Sequence, residues 1–372
     1  MSPTLPPTQR RPVAATPVAF VRAIALAYAR RGLDPQPALL DAGIDPALLT
    51  TPHARVTSLP FERLAARAMR ELDDEALGWF SRRLPWGSYG MLARASLTAP
   101  DLGLALRRWC RHHALLTDDV LLQWREQEQH AELTLIEQRA PGANLPDVAQ
   151  RATMREFAHV SLLRNVLGLA AWLIDARIVP QQVRLAMAAP AHADVYPLLF
   201  GGAPLLWDAD ATALRLSRAY LREPLRRDDA ALRAMLPHAV RLMVRPYHHD
   251  RLLTERARAW LRAHPHADTA QLAQALHVSA RTLQRQLQTC GTSVQALRDQ
   301  VRQELATTYL LRTRWPIKRI AAAVGFDNDK SFMRAFRGWT GTSPAAWRER
   351  TVRTVGTDAA VKAESNVSSQ DG

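Results

Sequence analysis

Two periodicities divide the chain. Across residues 17–245 apolar positions recur with helical spacing in some stretches and alternate in others, whereas from Arg251 onward every apolar pattern is helical. In the first part, residues 18–31 and 59–71 carry apolar side chains three and four positions apart, and Leu102, Leu106, Trp109 and His113 continue that spacing through residues 102–116. Residues 120–124 and 131–136 alternate instead, and the charged REQEQH between them predicts a strand hairpin with a polar turn. Residues 145–174 read as a long helix, 182–187 and 212–217 as strands, and 230–245 as a helix stopped by Pro246. Helices and strands interleaved in this irregular way predict an α+β domain.

The helical part repeats itself. QLAQALHVSARTLQRQLQTCGTSVQALR (residues 271–298) parallels RIAAAVGFDNDKSFMRAFRGWTGTSPAAWR (residues 319–348). Ala273 and Ala321 correspond at an offset of 48, Arg285 and Arg334 at 49 and the two GTS triplets at 50, a drift explained by two one-residue insertions. Each copy reads as a short helix, a tight turn and a longer helix. In the first, residues 277–279 form the turn with Ser279 as N-cap of a helix over 280–289. In the second, Gly325 supplies the permissive backbone that ends one helix, and Asp327 or Asn328 caps the next. Pro316 suits a first helical position, where a missing N–H costs little. Between the copies, Val294, Leu297, Val301, Leu305 and Leu310 predict a connecting helix over 294–311. The whole is an all-α domain of two helix-turn-helix units joined by a linker helix. In the second unit Lys330, Ser331, Arg334 and Arg337 share one side of a helix, with Phe332, Phe336 and Trp339 roughly opposite. In the first, Arg281, Gln284, Arg285 and Gln288 share one arc, with Leu283 and Leu287 on the far side.

Charge sharpens this division. Of a net +14, residues 251–353 carry +11, residues 1–250 +5 and the tail −2. Such concentration in about a quarter of the chain is the electrostatic footprint of a nucleic-acid-binding domain. With 372 residues and 47% hydrophobic content, two cores are expected. The predicted organisation is a disordered leader over 1–16, a domain over 17–245, a second over 251–350 and a disordered tail over 354–372.

Other chemistries find little support. The longest apolar run, residues 166–174, has nine residues against the roughly 20 that span a bilayer, and the polar N-terminus lacks signal-peptide character, so no membrane contact and a cytoplasmic location are expected. Cys110 and Cys290 suit ordinary reduced thiols. The groups Cys110, His112, His113 and His248, His249, His264, His266 match no metal-site spacing, so no metal or other cofactor is expected. WGSYG (residues 86–90) lacks the GxSxG frame of a nucleophile elbow, and phosphate-loop and dinucleotide fingerprints are absent, which argues against an enzyme. Trp79, Trp86, Tyr89, Trp109, Trp124, Trp172 and Trp207 serve either a core or a ligand pocket; Trp86 and Tyr89, flanked by glycines and a proline, are the candidates for pocket contact.

Residues 251–350, and IKRIAAAVGFDNDKSFMRAFRGWTGTSPAAWR (residues 317–348) above all, resemble the DNA-binding domain of the AraC/XylS family of bacterial transcription regulators. The first part resembles, more weakly, the sensor domain of the subgroup that includes ornithine-utilisation regulators, through GSYGMLARASLTAPDLGLALRRWCR (residues 87–111), YPLLFGGAPLLW (196–207) and YLREPL (220–225). That likeness argues against a β-barrel sensor. The resemblance implies an activator that binds double-stranded promoter DNA, contacts RNA polymerase, responds to a small-molecule effector and forms a homodimer. Arg281, Gln284 and Arg285 would then enter the major groove from one unit, and Lys330, Ser331 and Arg334 from the other. Lys318, Arg319 and Arg337 would meet phosphates. Two alternatives are a DNA-binding module fused to an enzymatic domain, such as a methyl-accepting repair regulator, and one fused to a ligand-free dimerisation domain.

Overall fold

In the computed structural model, which describes residues 16–51 and 53–350, Thr16 is already buried and paired. It begins β1 (Thr16–Pro17), antiparallel to β2 (Arg55–Val56). The predicted leader therefore extends one residue too far, and its remainder, like the predicted tail, lies outside the described residues. The chain divides into two compact units between Tyr247 and His248.

In the first unit, α1 (Val18–Ala29), α2 (Gln36–Ala42) and α3 (Ser58–Glu71) precede α4 (Ser88–Leu97) and α5 (Leu102–His113). The predicted hairpin forms as β3 (Val120–Glu126) and β4 (His130–Glu137), with Ala131, Leu133 and Leu135 buried in alternation. After α6 (Val148–Ile174), β5 (Gln182–Arg184), α7 (Tyr196–Leu199), β6 (Leu205–Leu206) and β7 (Ala213–Ser217) complete a sheet of order β3-β4-β7-β5-β6. Only β5 and β6 run parallel; β3 and β6 form its two edges, so the sheet is open and not a barrel. The α+β reading holds for this unit, although the strand expected over 182–187 pairs only through Arg184.

Helix α6 is the spine of the unit. Asp147 caps it by accepting from the Gln150 N–H at 2.8 Å, and Asp175 ends it in the left-handed region at φ 53°. By length and composition it could cross a membrane, contrary to the sequence expectation, but 94% of its most apolar window is buried in the unit. Polar interruptions at Ser161, Arg164 and Asn165 hide that length from a search for unbroken apolar runs. Phe157 anchors the aromatic core against Phe20, Phe61 and Trp79, at centroid distances of 5.3, 6.2 and 5.6 Å. The single helix expected over 230–245 is instead broken. It forms α8 (Asp229–Met235), a 3-10 turn at Leu236–His238 and α9 (Ala239–Val244). Pro237 is the cause, since it lacks an N–H and its ring crowds the preceding turn.

The second unit is helical throughout: α10 (Arg251–Ala263), α11 (Thr269–Ala275), α12 (Ala280–Thr289), α13 (Val294–Arg312), α14 (Ile317–Ala323) and α15 (Asp329–Thr340). Pro316 is the N-cap of α14, one position before its predicted place. Two small cores share the connecting helix. Val294, Leu297 and Val301 of α13 pack with α10, α11 and α12, while Ala306 and Leu310 pack with α14 and α15.

Candidate nucleic-acid interface and ligand cavity

Each reading helix is aimed by its cap and anchored by its apolar side. At α12 the turn passes through His277 at φ 55°, and Ser279 Oγ accepts from the Thr282 N–H at 3.1 Å. Leu283 and Leu287 are fully buried, which leaves Arg281, Gln284, Arg285 and Gln288 exposed. At α15 the turn passes through Gly325 at φ 91°, and Asn328, rather than Asp327, caps by accepting from the Ser331 N–H at 2.8 Å. Phe332 and Phe336 are fully buried and Trp339 partly so, while Lys330, Ser331, Arg334 and Arg337 are exposed. The aromatic side of this helix therefore holds it in its core, and the basic side is left to solvent.

Ion pairing engages several arginines elsewhere in the unit but none on these faces. On α10, Arg251 pairs with Glu255 at 2.5 Å, Arg262 with Glu304, and Arg258 donates to Gln300 at 2.6 Å. Arg281, Arg285, Lys330, Arg334 and Arg337 have neither an acidic partner nor a side-chain hydrogen bond among the described residues. Lys318 is exposed, and the Arg319 guanidinium lies 4.0 Å over the Trp315 ring. Five unpaired cations on two helix faces outnumber the one acid of these helices, Asp329, and leave a net positive potential there.

Within the second unit, a clasp that the sequence does not reveal joins the two helix-turn-helix motifs. Arg302, on α13, donates to the carbonyl oxygens of Pro265 at 3.1 Å and Gly325 at 2.6 Å, with its guanidinium 4.7 Å from the Phe326 ring centroid. Pro265 belongs to the loop before the first helix-turn-helix and Gly325 to the turn of the second. Arg298 adds a bond to the Ala267 carbonyl at 3.0 Å. Spacing along α13 places both arginines on one side, but their carbonyl acceptors become visible only in three dimensions.

The first unit contains a cavity of about 880 Å³, bounded by α3, α4, α5 and α6 and closed on another side by residues 233–243. Both sequence candidates line it. Trp86 is 45% exposed with the Arg70 guanidinium 5.0 Å over its ring, and Tyr89 stacks on Trp109 at 5.7 Å. Trp109 also lines the cavity. The other aromatics belong elsewhere: Trp79 in the core, Trp124 on β3 donating to Glu126 at 3.1 Å, Trp172 beneath Arg227 and Trp207 against Tyr196. Asn165 and Leu169 of α6 and the 233–243 segment contribute to the wall without any local sequence signal. Beside Tyr89, at a ring-centroid distance of 6.3 Å, His113 is buried, and burial pushes its pKa down to about 4. Burial likewise pushes the Cys110 thiol up to about 12, so it stays protonated and inert at neutral pH. Among the described residues no three His, Cys, Asp or Glu side chains converge as metal ligands.

Comparison with known proteins gives the following matches. Residues 32–225 match the family described as the arabinose-binding domain of AraC transcription regulator, N-terminal, and residues 272–350 match a helix-turn-helix domain family. The chain is 31% identical to an ornithine utilization regulator of Pseudomonas aeruginosa over 342 residues, which cover 90% of this chain and 96% of that one. The HTH-type transcriptional regulator VqsM of the same organism is 36% identical over 73 residues, 20% of this chain and 22% of its own. Among solved structures, the transcriptional regulator CdpR from Pseudomonas aeruginosa aligns over 89% of this chain and 98% of its own, with 20% identity and a TM-score of 0.31.

Proposed function

The chain belongs to the AraC family of transcription regulators, and we propose that α12 and α15 read two segments of one promoter under the control of a small molecule held in the first unit. Its membership makes it a DNA-binding regulator with an N-terminal ligand-binding domain, rather than an enzyme. In this reading Arg281, Gln284 and Arg285 address base edges from α12, and Lys330, Ser331 and Arg334 from α15. Arg forks match guanine O6 and N7, and a Gln amide matches adenine N6 and N7, each good pair contributing about 1–3 kcal/mol of discrimination. Arg337, Lys318 and Arg319 hold phosphates, which fix register without specifying sequence.

The observation that carries this reading is that the cations on the two faces are exposed and lack acidic partners among the described residues, while Arg251, Arg258 and Arg262 of α10 have them. Helix α13, of 19 residues, is about 28 Å long at 1.5 Å per residue, a length comparable to one turn of B-DNA. The effector occupies the cavity lined by Trp86 and Tyr89 and acts only so far as it binds two states of the regulator unequally. Activation through contact with RNA polymerase, pairing of two copies and action in the cytoplasm complete the proposal; they follow the family resemblance. A fluorescence-anisotropy titration of the full chain on promoter duplexes tests it. An Arg285→Ala, Arg334→Ala double variant with unchanged circular dichroism should bind at least 100-fold more weakly, about two lost base contacts. Equal affinity would refute the assignment.

A further inference from the structure

The cavity in the first unit has walls with a definite chemical preference. Most of them are apolar: Met69, Trp109, Leu169, Leu236, Val240 and Met243 face it from five elements of the fold. Its charged groups already have partners or lie at the rim. Arg94 and Arg233 both bind Asp229, at 3.0 and 2.7 Å. Glu75 is the lining carboxylate, and its two oxygens accept from the backbone N–H groups of Gly87 at 2.8 Å and Tyr89 at 2.7 Å. Arg70 is exposed and lies over the ring of Trp86. A free amino acid entering here would find one carboxylate, Glu75, already held by two backbone donors and with its charged form disfavoured by burial. A carboxylate ligand would have to displace Asp229 or remain at the exposed rim with Arg70.

One polar group in the cavity wall lacks a well-formed hydrogen bond. The Tyr89 hydroxyl is buried without an aligned hydrogen-bond partner, and Asn165 is its polar neighbour. Buried hydroxyls without partners are rare because they forfeit their bonds to water. A phenol and a carboxamide can both donate and accept, so together they suit either a ligand hydroxyl or a ligand carbonyl. Pockets of this size with apolar walls and a few convergent polar groups take small organic molecules.

We propose that this cavity takes an uncharged, largely apolar molecule, aromatic or branched, that presents one hydroxyl or carbonyl group to Tyr89 and Asn165. The proposal rests on the reading of the first unit as the effector-binding part and specifies the chemistry of that effector. Its site includes residues 233–243, so occupancy adds apolar contact to α9 and the turn before it.

Titration of the full chain with 1-naphthol, naphthalene, 1-naphthoate and ornithine tests it, with hydrogen exchange to locate each bound probe. The structure leads us to expect 1-naphthol to bind most tightly and to protect residues 88–97 and 229–244. Tyr89→Phe should weaken 1-naphthol by roughly 5- to 10-fold, the loss of one hydrogen bond, and leave naphthalene unchanged. Asn165→Ala should do the same, which guards against a folding defect in either variant. Tighter binding of 1-naphthoate or ornithine, with protection of the same segments, would overturn the ligand class while keeping the cavity as the effector site. Failure of all four to protect those segments would overturn the cavity reading itself.

Discussion

A Cβ placed on Gly325 would lie 2.2 Å from the carbonyl oxygen of Pro265. The turn of the second helix-turn-helix is thus packed backbone to backbone against the loop that opens the first, and Arg302 binds both carbonyls from α13. Two reading heads that share a connecting helix are also locked together beside it. The clasp ties the loop before α11 to the turn before α15.

Gly325→Ala should destabilise the second unit. The residue sits at φ 91°, where an L side chain is strained, and the clash is with backbone that cannot rotate away. A cost of about 1–3 kcal/mol for the strained conformation alone is expected. Thermal unfolding of the full chain should show a lower midpoint for the transition assigned to residues 248–350, with the other transition unmoved.

Arg302→Ala should separate spacing from base recognition. Burial lowers the pKa of Arg302, and the side chain still serves two carbonyls and an aromatic face. Its loss leaves those acceptors poorly satisfied, at about 1–3 kcal/mol. Duplexes with the two half-sites shifted by one or two base pairs should bind the variant nearly as well as the original spacing. Preference within each half-site should persist. A variant as strict about spacing as the parent would show that α13 alone sets the separation.

Stability of the first unit should fall in acid through His113. Its folded pKa, about 4, lies below the ordinary value of 6.5, so the unfolded chain binds a proton more readily. The contribution is therefore complete above pH 6.5 and is lost as pH falls towards 4, by about 3 kcal/mol in all. Glu137 acts in the same direction at lower pH. Burial alone would raise its pKa, but hydrogen bonds from His159 and Arg155 hold it at about 2, so its contribution fades below about 4.5. Neither ring nitrogen of His113 has a hydrogen-bond partner among the described residues, so His113→Phe should flatten the loss between pH 6.5 and 4 while preserving stability at pH 7. Urea titrations across that range provide the check.

Gly168→Ala should loosen the cavity's cover. A Cβ there would meet the Leu242 carbonyl oxygen at 2.3 Å, where α6 and α9 are in close contact. Nearby, Arg164 donates to the carbonyls of Met243 at 2.8 Å, Leu242 at 3.1 Å and Arg245 at 2.8 Å. Displacing α9 disturbs these bonds together. Hydrogen exchange should accelerate over residues 239–245 at least tenfold, with β3 and β4 unaffected.

Local chemistry was the legible part. Ser279 and Asn328 mark helix starts because a cap is a contact between near neighbours in the chain. The basic and aromatic sides of α15 were readable for the same reason, since one helix fixes their separation. Trp86 and Tyr89 stood out through their flanking residues, and both line the cavity. Pro237 breaks the helix that the periodicity around it predicts over residues 230–245, because a local ring constraint outweighs a regular apolar pattern. Asn165 and Arg302 gave no such sign, because their roles depend on where distant backbone comes to lie. The base contacts assigned to α12 and α15 likewise depend on groups distant from both helices, those of the bound DNA.

Selection of binding sites from a random duplex pool by the full chain, followed by sequencing, is the most direct test of that assignment, run beside the Arg285→Ala, Arg334→Ala variant. Two half-sites about 10 base pairs apart, with selectivity lost at one position in each for the variant, are expected. The same motif recovered by both proteins, or no enriched motif at all, would contradict direct reading by these two helices.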